Sequence, residues 1–268
     1  MAAALVTWIV TVERMRGMDA GPGTDLGGLV WYVGIWTTMM AAMMLPSVAP
    51  MVLVFHRVGL ERPGRSRPSA RTWAFTLSYL AVWAVYGLGA YALYRLIEHL
   101  DVGLLAWSRG GRFVAGAAIV AAGLYELTPF KTVCLRHCRT PMHFVMSEWR
   151  EGSLGAVRMG SVHGAYCVGC CWGLMIVLFA LGVMSLTWMA VVGALIFAQK
   201  VLPAGQQLTK AFAVAFVAAG VWVASAPGSV PGLTLPGTGM SRMHMPSSSE
   251  LNRMEQSKPP MTTAPMAP

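Results

Sequence analysis

Charged side chains are scarce in this sequence. Asp, Glu, Lys and Arg together make up 12% of its 268 residues, whereas 56% of the residues are hydrophobic. Soluble domains carry about 25% charged residues, so roughly half of the usual surface-forming set is missing. This shortage excludes an ordinary soluble domain and predicts an integral membrane protein whose first partner is the lipid bilayer.

Acidic residues are scarcer than basic residues. The chain has 11 Asp and Glu against 20 Lys and Arg, which gives a formal net charge of +9. A basic excess is also found in nucleic-acid-binding proteins, but here the Lys and Arg residues fall in short segments between apolar runs, where they orient helices in a bilayer. We therefore expect no nucleic-acid partner.

Long polar stretches are rare in the first 226 residues, where apolar runs follow one another closely. A membrane span needs roughly 20 predominantly apolar residues. Six runs approach that length, and a shorter one at 1–12 predicts a foreshortened N-terminal seventh helix. The six are 29–56, 72–97, 112–130, 161–184, 186–202 and 208–225. The predicted fold is all-α, a polytopic transmembrane helical bundle spanning 1–226.

Residues 227–268 have no apolar periodicity. This segment is rich in Pro, Ser, Thr, Gly and Met, so we expect a disordered tail and not a second folded domain. It contains Met240, Met243, His244 and Met245, which have no predicted core to fill and are candidates for a weak extracytoplasmic copper-capturing arm. Low-complexity drift is the alternative explanation.

The distribution of Lys and Arg predicts the orientation of the bundle. Five lie between Arg57 and Arg71, five between Lys131 and Arg158, and Lys200 and Lys210 lie on the same predicted side. The side richer in Lys and Arg is usually cytoplasmic. We expect a multi-pass protein of the cell inner (plasma) membrane with an extracytoplasmic C-terminal tail.

Cysteine is infrequent and odd in number, with five residues, so at least one lies outside any internal disulfide. His163, Cys167, Cys170 and Cys171 lie in one apolar run and, at about 100° per residue, occupy an arc of roughly 100° on one helical face. Cu(I) or Zn(II) binds such imidazole and sulfur donors. The alternative is that cysteine, a small hydrophobe, fills the core here.

A second set of thiols, Cys134 and Cys138 with His137 between them, follows the third run in KTVCLRHCRTP. If the helix continues, the two cysteines are one turn apart, and Pro141 ends it. On the predicted cytoplasmic side thiols stay reduced, which favours metal ligands over a disulfide. An incidental placement in an amphipathic loop is the alternative.

Methionine is abundant, with 20 residues. Met39, Met40, Met43 and Met44 lie in the first run, which Pro46 and Pro50 are expected to kink. Met39 and Met43 share a face, and thioethers bind Cu(I) without deprotonation. Methionine is also an ordinary filler of irregular helix contacts.

Glu126 and Lys131 lie near the inner end of the third run. An ionisable residue within a span is a functional candidate by default. Here we favour a structural ion pair between the two.

The sequence resembles the DUF2182 family of predicted metal-binding membrane proteins, which are sometimes labelled copper chaperones. The resemblance runs over about 31–226 and rests on MMAAMMLPS, YELTPFKTVCLRHC with the following RTP, and GAYCVGCCWGLM with GVMSLTWMA downstream. It implies metal-site candidacy for Cys134, Cys138, His163, Cys167, Cys170 and Cys171. Two departures are the short first helix and FAQKVLP, where Gln199 replaces the Glu expected before Lys200.

Taken together, these features predict an integral membrane protein that binds a soft metal, Cu(I) with zinc as the alternative, and acts as a chaperone or accessory factor. A membrane or periplasmic metalloprotein is the expected protein partner. We do not expect an enzyme. A redox enzyme has little support, since His56, His99 and His163 lie near span ends, which does not suggest paired haem ligands, and no nucleotide-binding glycine loop is present. Alternatives are a metal-ion transporter, a redox-active membrane subunit that uses the cysteine pairs, and a structural subunit whose sulfurs only pack.

Overall fold

The structure is a computed structural model that describes residues 2–15, 27–61, 67–99, 110–182, 185–203 and 205–230. These residues form helices without strands. In chain order the helices are α1 (Ala2–Met15), α2 (Leu29–Glu61), α3 (Pro68–His99), α4 (Arg112–Glu126), α5 (Pro129–Arg139), α6 (Pro141–Glu148), α7 (Gly152–Leu181), α8 (Leu186–Val201) and α9 (Gly205–Ser225). The all-α prediction is confirmed.

The number of long apolar helices is lower than the six or seven predicted spans. Among the described residues, four helices are long and apolar enough to cross a membrane: α2, α3, α7 and the Gln207–Ser225 part of α9. The pair α4 and α5 would add a fifth if it counts as one span. Two of the predicted spans are short: α1 has 14 residues and α8 has 16. Both fall below the roughly 17 residues that a helix needs to cross a bilayer.

The predicted span at 112–130 breaks between α4 and α5, which are bent by 66°. Pro129 causes the break, because the residue before a proline is disfavoured in helical geometry. Thr128 accordingly has extended backbone angles, φ −73° and ψ 148°, and its side chain accepts a hydrogen bond from the Lys131 amide, which caps α5. The second thiol set therefore lies on a separate short helix and not on a continuation of α4. As predicted, the helix ends just before Pro141.

Glycines permit the closest helix contacts. On α7, a Cβ built at Gly160 would lie 2.2 Å from the Phe75 carbonyl oxygen of α3, and one at Gly164 would lie 3.0 Å from Val82 Cβ. Small residues at a spacing of four let two helix backbones approach in this way. These contacts fix the position of α3 along the axis of α7, and so place Tyr79 of α3 opposite the cysteines of α7.

Helix α2 contributes much of the core. It remains helical through Pro46 and Pro50, and its methionines Met39, Met40, Met43 and Met44 are all buried. The predicted kink at the two prolines stays a prediction.

The predicted disordered tail lies mostly outside the described residues. Within them, Pro227–Ser229 form a single 3₁₀ turn after α9, closed by a hydrogen bond from the Ser229 amide to the Ala226 carbonyl oxygen. The methionines at 240, 243 and 245 and the histidine at 244 fall beyond residue 230.

Candidate metal centre

Three cysteines from two helices converge in the core. Cys138 of α5 and Cys167 and Cys170 of α7 are buried, and their sulfur atoms all lie within 4.8 Å of one another. The Sγ atoms of Cys138 and Cys170 are 3.8 Å apart. Members of both thiol sets singled out in the sequence therefore meet in one group, Cys138, Cys167 and Cys170, which we name the thiol cluster.

The local sequence explains how the two helices meet. The bend at Thr128 and Pro129 directs α5 against α7, and Gly169 leaves room for it, since a Cβ there would lie 2.8 Å from Cys134 Sγ. The spacing of three residues places Cys167 and Cys170 on the same face of α7. Cys138 reaches that face from the last turn of α5.

The separation of the Cys138 and Cys170 sulfurs suits a metal ion. Three sulfurs at about 2.3 Å from a common metal would be roughly 3.8 to 4.0 Å apart in tetrahedral or trigonal geometry. The Cys138 to Cys170 separation of 3.8 Å falls in that range. The five cysteines are all free thiols, so each is available as a ligand.

The two remaining cysteines lie beside the cluster and not in it. Cys171 Sγ is 3.4 Å from Cys170 Sγ, which makes Cys171 a direct neighbour of one ligand candidate. Cys134 is buried against Gly169 of α7, one turn before Cys138. Their predicted role as ligands stays a prediction.

The predicted histidines have different surroundings. His163 is buried one turn before Cys167, among the rings of Phe75, Tyr79 and Phe144. Its Nδ1 has no hydrogen-bond partner among the described residues. His137 instead stacks on Tyr166, with ring centroids 4.1 Å apart, and its Nδ1 lies 2.9 Å from the Val133 carbonyl oxygen. Neither imidazole belongs to the thiol cluster.

The predicted methionine ligands are core residues of α2. Met39 and Met43 are both buried, and Met43 packs close to Gly193 of α8, where a Cβ would lie 3.3 Å from Met43 Cγ. This packing agrees with the core-filling alternative, and a thioether role for the pair stays a prediction.

Sequence reasoning missed two polar neighbours of Cys167. The Lys200 ammonium donates a hydrogen bond of 2.8 Å to Cys167 Sγ, and the Tyr79 hydroxyl lies 3.0 Å from the same sulfur. The charge count had used Lys200 only to orient the bundle, but this lysine belongs to α8 and its side chain is 7% exposed. Its position inside an apolar run was the signal that could have identified it.

A cluster of polar side chains lies next to the thiol cluster. Lys131 and Glu126 form the predicted ion pair, and both side chains are buried. Gln199 completes the cluster, since Lys131 Nζ donates to its Oε1 at 3.0 Å and its Nε2 donates to Glu126 Oε2 at 2.7 Å. The amide that replaces the expected carboxylate thus serves as both acceptor and donor. Gln199 precedes Lys200, so consecutive residues of α8 contact the two clusters.

Comparison with known proteins gives one family. Neither curated proteins nor solved structures include a match. A family model described as "PpoB2: Copper chaperone" matches residues 33–223, which is more than half of the chain and includes every residue of the thiol cluster. This family is of the DUF2182 type, so the resemblance drawn from the sequence motifs is confirmed. The chain therefore belongs to the PpoB2 family of copper chaperones.

Proposed function

We propose that the protein is a membrane-embedded copper chaperone that holds Cu(I) on Cys138, Cys167 and Cys170 and passes it to a metalloprotein. The observation that carries the proposal is the convergence of three buried thiols from α5 and α7 within 4.8 Å. The family description supports copper as the cargo. The role is binding and transfer and not catalysis.

The donor set favours Cu(I) over Zn(II). Soft thiolate ligands select Cu(I), whereas structural zinc sites are almost always four-coordinate and tetrahedral. The thiol cluster offers three sulfurs, which suits a three-coordinate or two-coordinate ion. Zinc is the alternative cargo, with Cys171 or His163 as the fourth ligand.

The charge of the site also fits a bound cuprous ion. One Cu(I) held by two or three thiolates is a complex with net negative charge, and burying an unpaired charge is costly. Lys200 supplies a positive charge at hydrogen-bond distance from Cys167. It would balance part of the charge of the loaded site.

Membrane insertion is supported by the outward faces of the long helices. Large apolar side chains on α3 and α9 are exposed, among them Leu77, Val85, Leu93, Val214 and Trp222. Soluble monomers rarely expose apolar patches of such extent. We propose a multi-pass protein of the plasma membrane, with the thiol cluster reached from the cytoplasm and the C-terminal tail outside.

The test is a competition titration of the purified full-length protein in detergent under reducing conditions. Cu(I) is shared with the chromophoric chelator bicinchoninate, and the wild type is expected to remove one equivalent of Cu(I) from it. The triple variant C138S/C167S/C170S should remove none. The single variant Cys134→Ser, which changes a buried thiol outside the cluster, is the matched control and should bind as the wild type does.

Circular dichroism of each variant keeps the result interpretable, because a helical spectrum equal to that of the wild type shows that the fold is retained. Equal Cu(I) retention by the wild type and a folded triple variant would refute the proposed site. The same titration with Zn(II) and a zinc chelator decides between the two ions.

A metal-ion transporter is the second candidate function. It is favoured by the broken span α4–α5, which carries Glu126 and Lys131 beside the break. Discontinuous helices with polar groups at the break line ion paths in many transporters. Reconstituted proteoliposomes decide between the two, since a transporter would move Cu(I) into the lumen and a chaperone would bind it without flux.

A further inference from the structure

A cavity of about 700 Å³ opens beside α5, outside the thiol cluster. Its walls come from the end of α4, one face of α5, and the α8–α9 connection with the first turns of α9. None of the five cysteines lines it. The proposed copper site therefore leaves this cavity without a role.

The lining of the cavity is strongly basic. Its charged residues are Glu126, Lys131, Arg136, Arg139 and Lys210. The one carboxylate, Glu126, is already paired with Lys131. Among the described residues that line the cavity, Arg136, Arg139 and Lys210 therefore have no acidic partner.

The three cations differ in how firmly they are held. Arg139 is fixed, because its guanidinium donates to the carbonyl oxygens of Gln199, Leu202 and Pro203 at 3.0, 2.6 and 3.1 Å. Carbonyl groups are neutral, so these bonds orient the charge without cancelling it. Arg136 and Lys210 are exposed, and neither side chain has a hydrogen-bond or ion-pair partner within the described part of the chain. One anchored and two free cations thus surround the same space.

The size of the cavity indicates what it can hold. Small-molecule sites typically enclose about 300 to 1,000 Å³, and several cations around one such space favour a ligand with more than one negative group. Basic pockets at the cytoplasmic end of membrane helices also bind anionic lipid head groups. We propose that this cavity binds a small polyanion that carries carboxylate or phosphate groups, either as a soluble molecule or as the head group of a lipid.

The test uses metal-free, full-length protein, so that its outcome is separate from that of the copper titration. Protein in phosphatidylcholine nanodiscs is titrated with pyrophosphate and with citrate by calorimetry. Protein in phosphatidylglycerol nanodiscs is studied in parallel, and native mass spectrometry measures how much of this lipid the protein retains. We expect wild-type protein to bind at least one of these three probes, with an affinity that falls as NaCl is raised.

The variant R136Q/K210Q removes the two free cations and leaves the anchored Arg139 in place. Because hydrogen bonds to charged groups are strong, the double variant should bind the probe about tenfold more weakly or worse. The matched control R57Q/R158Q removes two exposed cations that lie outside the cavity, and it should bind as the wild type does.

The two kinds of nanodisc also distinguish a soluble ligand from a lipid head group. If pyrophosphate or citrate still binds in phosphatidylglycerol nanodiscs, the ligand is a soluble molecule. If phosphatidylglycerol abolishes the binding of pyrophosphate and citrate, the ligand is the lipid head group. The proposal fails if the wild type binds none of the three probes, or if R136Q/K210Q and R57Q/R158Q bind them equally well.

Discussion

The Lys200 ammonium donates a hydrogen bond of 2.8 Å to the Cys167 sulfur, and both side chains are buried. A buried ammonium is costly unless it has an anionic or strongly accepting partner. A third helix, α8, therefore places a positive charge beside the thiol cluster, where it can offset negative charge on the sulfurs.

Replacing Lys200 is expected to weaken metal binding without removing a ligand. Lys200→Met deletes the positive charge beside Cys167, so the Cu(I) affinity should fall by about tenfold, as expected for a lost hydrogen bond to a charged group. Competition with bicinchoninate measures the change. Lys200→Arg keeps the charge and should restore most of the affinity, which a purely steric role for Lys200 would not explain.

The number of sulfur ligands around copper should also depend on Lys200. X-ray absorption of the Cu(I)-loaded wild type and of Lys200→Met reports the copper–sulfur coordination number directly. A drop in that number in the variant supports charge compensation. Lys210→Met, which removes an exposed lysine of α9, is the control and should leave the spectrum unchanged.

Cys171 is expected to affect the rate of copper transfer more than the affinity. Its sulfur lies 3.4 Å from Cys170 but outside the three-sulfur group. A neighbouring thiol of this kind can replace a ligand as the ion leaves. Stopped-flow transfer of Cu(I) to an acceptor chelator should therefore be slower in Cys171→Ser, while the equilibrium affinity changes little. Unchanged transfer kinetics would assign Cys171 to packing alone.

The polar cluster of Glu126, Lys131 and Gln199 should matter for stability. Glu126→Gln leaves the Lys131 ammonium buried without its carboxylate, and breaking a buried pair in this way costs about 3 to 5 kcal/mol. The thermal midpoint in detergent should fall clearly. The double variant E126Q/K131M removes both charges and should recover part of the loss. Glu61→Gln, at the exposed end of α2, is the control and should have little effect.

The contact between α3 and α7 is testable at a single glycine. Gly160→Ala places a Cβ 2.2 Å from the backbone oxygen of Phe75, so the helices must move apart, which typically costs about 1 to 3 kcal/mol. Gly89→Ala of α3 meets nothing within 4 Å and should be neutral or stabilising, because alanine favours a helix. Thermal unfolding of the two variants measures the contrast. Equal midpoints would contradict the close approach.

Most of the helices were predictable from apolar run length, but the span count was not. The run at 112–130 has the hydropathy of a single span. Pro129 nevertheless forces Thr128 out of helical geometry, and the chain turns by 66°. A proline at a run's end is visible in the sequence, whereas the direction of the chain beyond it depends on packing against α7. Among the described residues, the rest of the difference from six or seven spans comes from α1 and α8, which are too short to cross a bilayer.

The members of the thiol cluster were all candidates from the sequence, but their grouping was not predictable. The face of α7 follows from helical periodicity, so Cys167 and Cys170 could be paired in advance. That Cys138 joins them and Cys134 does not depends on the rotation of α5 after its bend. The contact of Lys200 with Cys167 was not predictable, because a count of basic residues orients the bundle but does not identify the partner of a buried cation.

The bend between α4 and α5 has a consequence for how copper would be held. Cys138 and Cys167 are 29 positions apart in the sequence, and each is attached to a helix that the other does not share. A metal bound by both would clamp α5 onto α7 and resist their separation, so loading should raise the thermal midpoint of the whole bundle. Loss of the metal would remove this link between the two helices, so the midpoint should return to that of the metal-free protein.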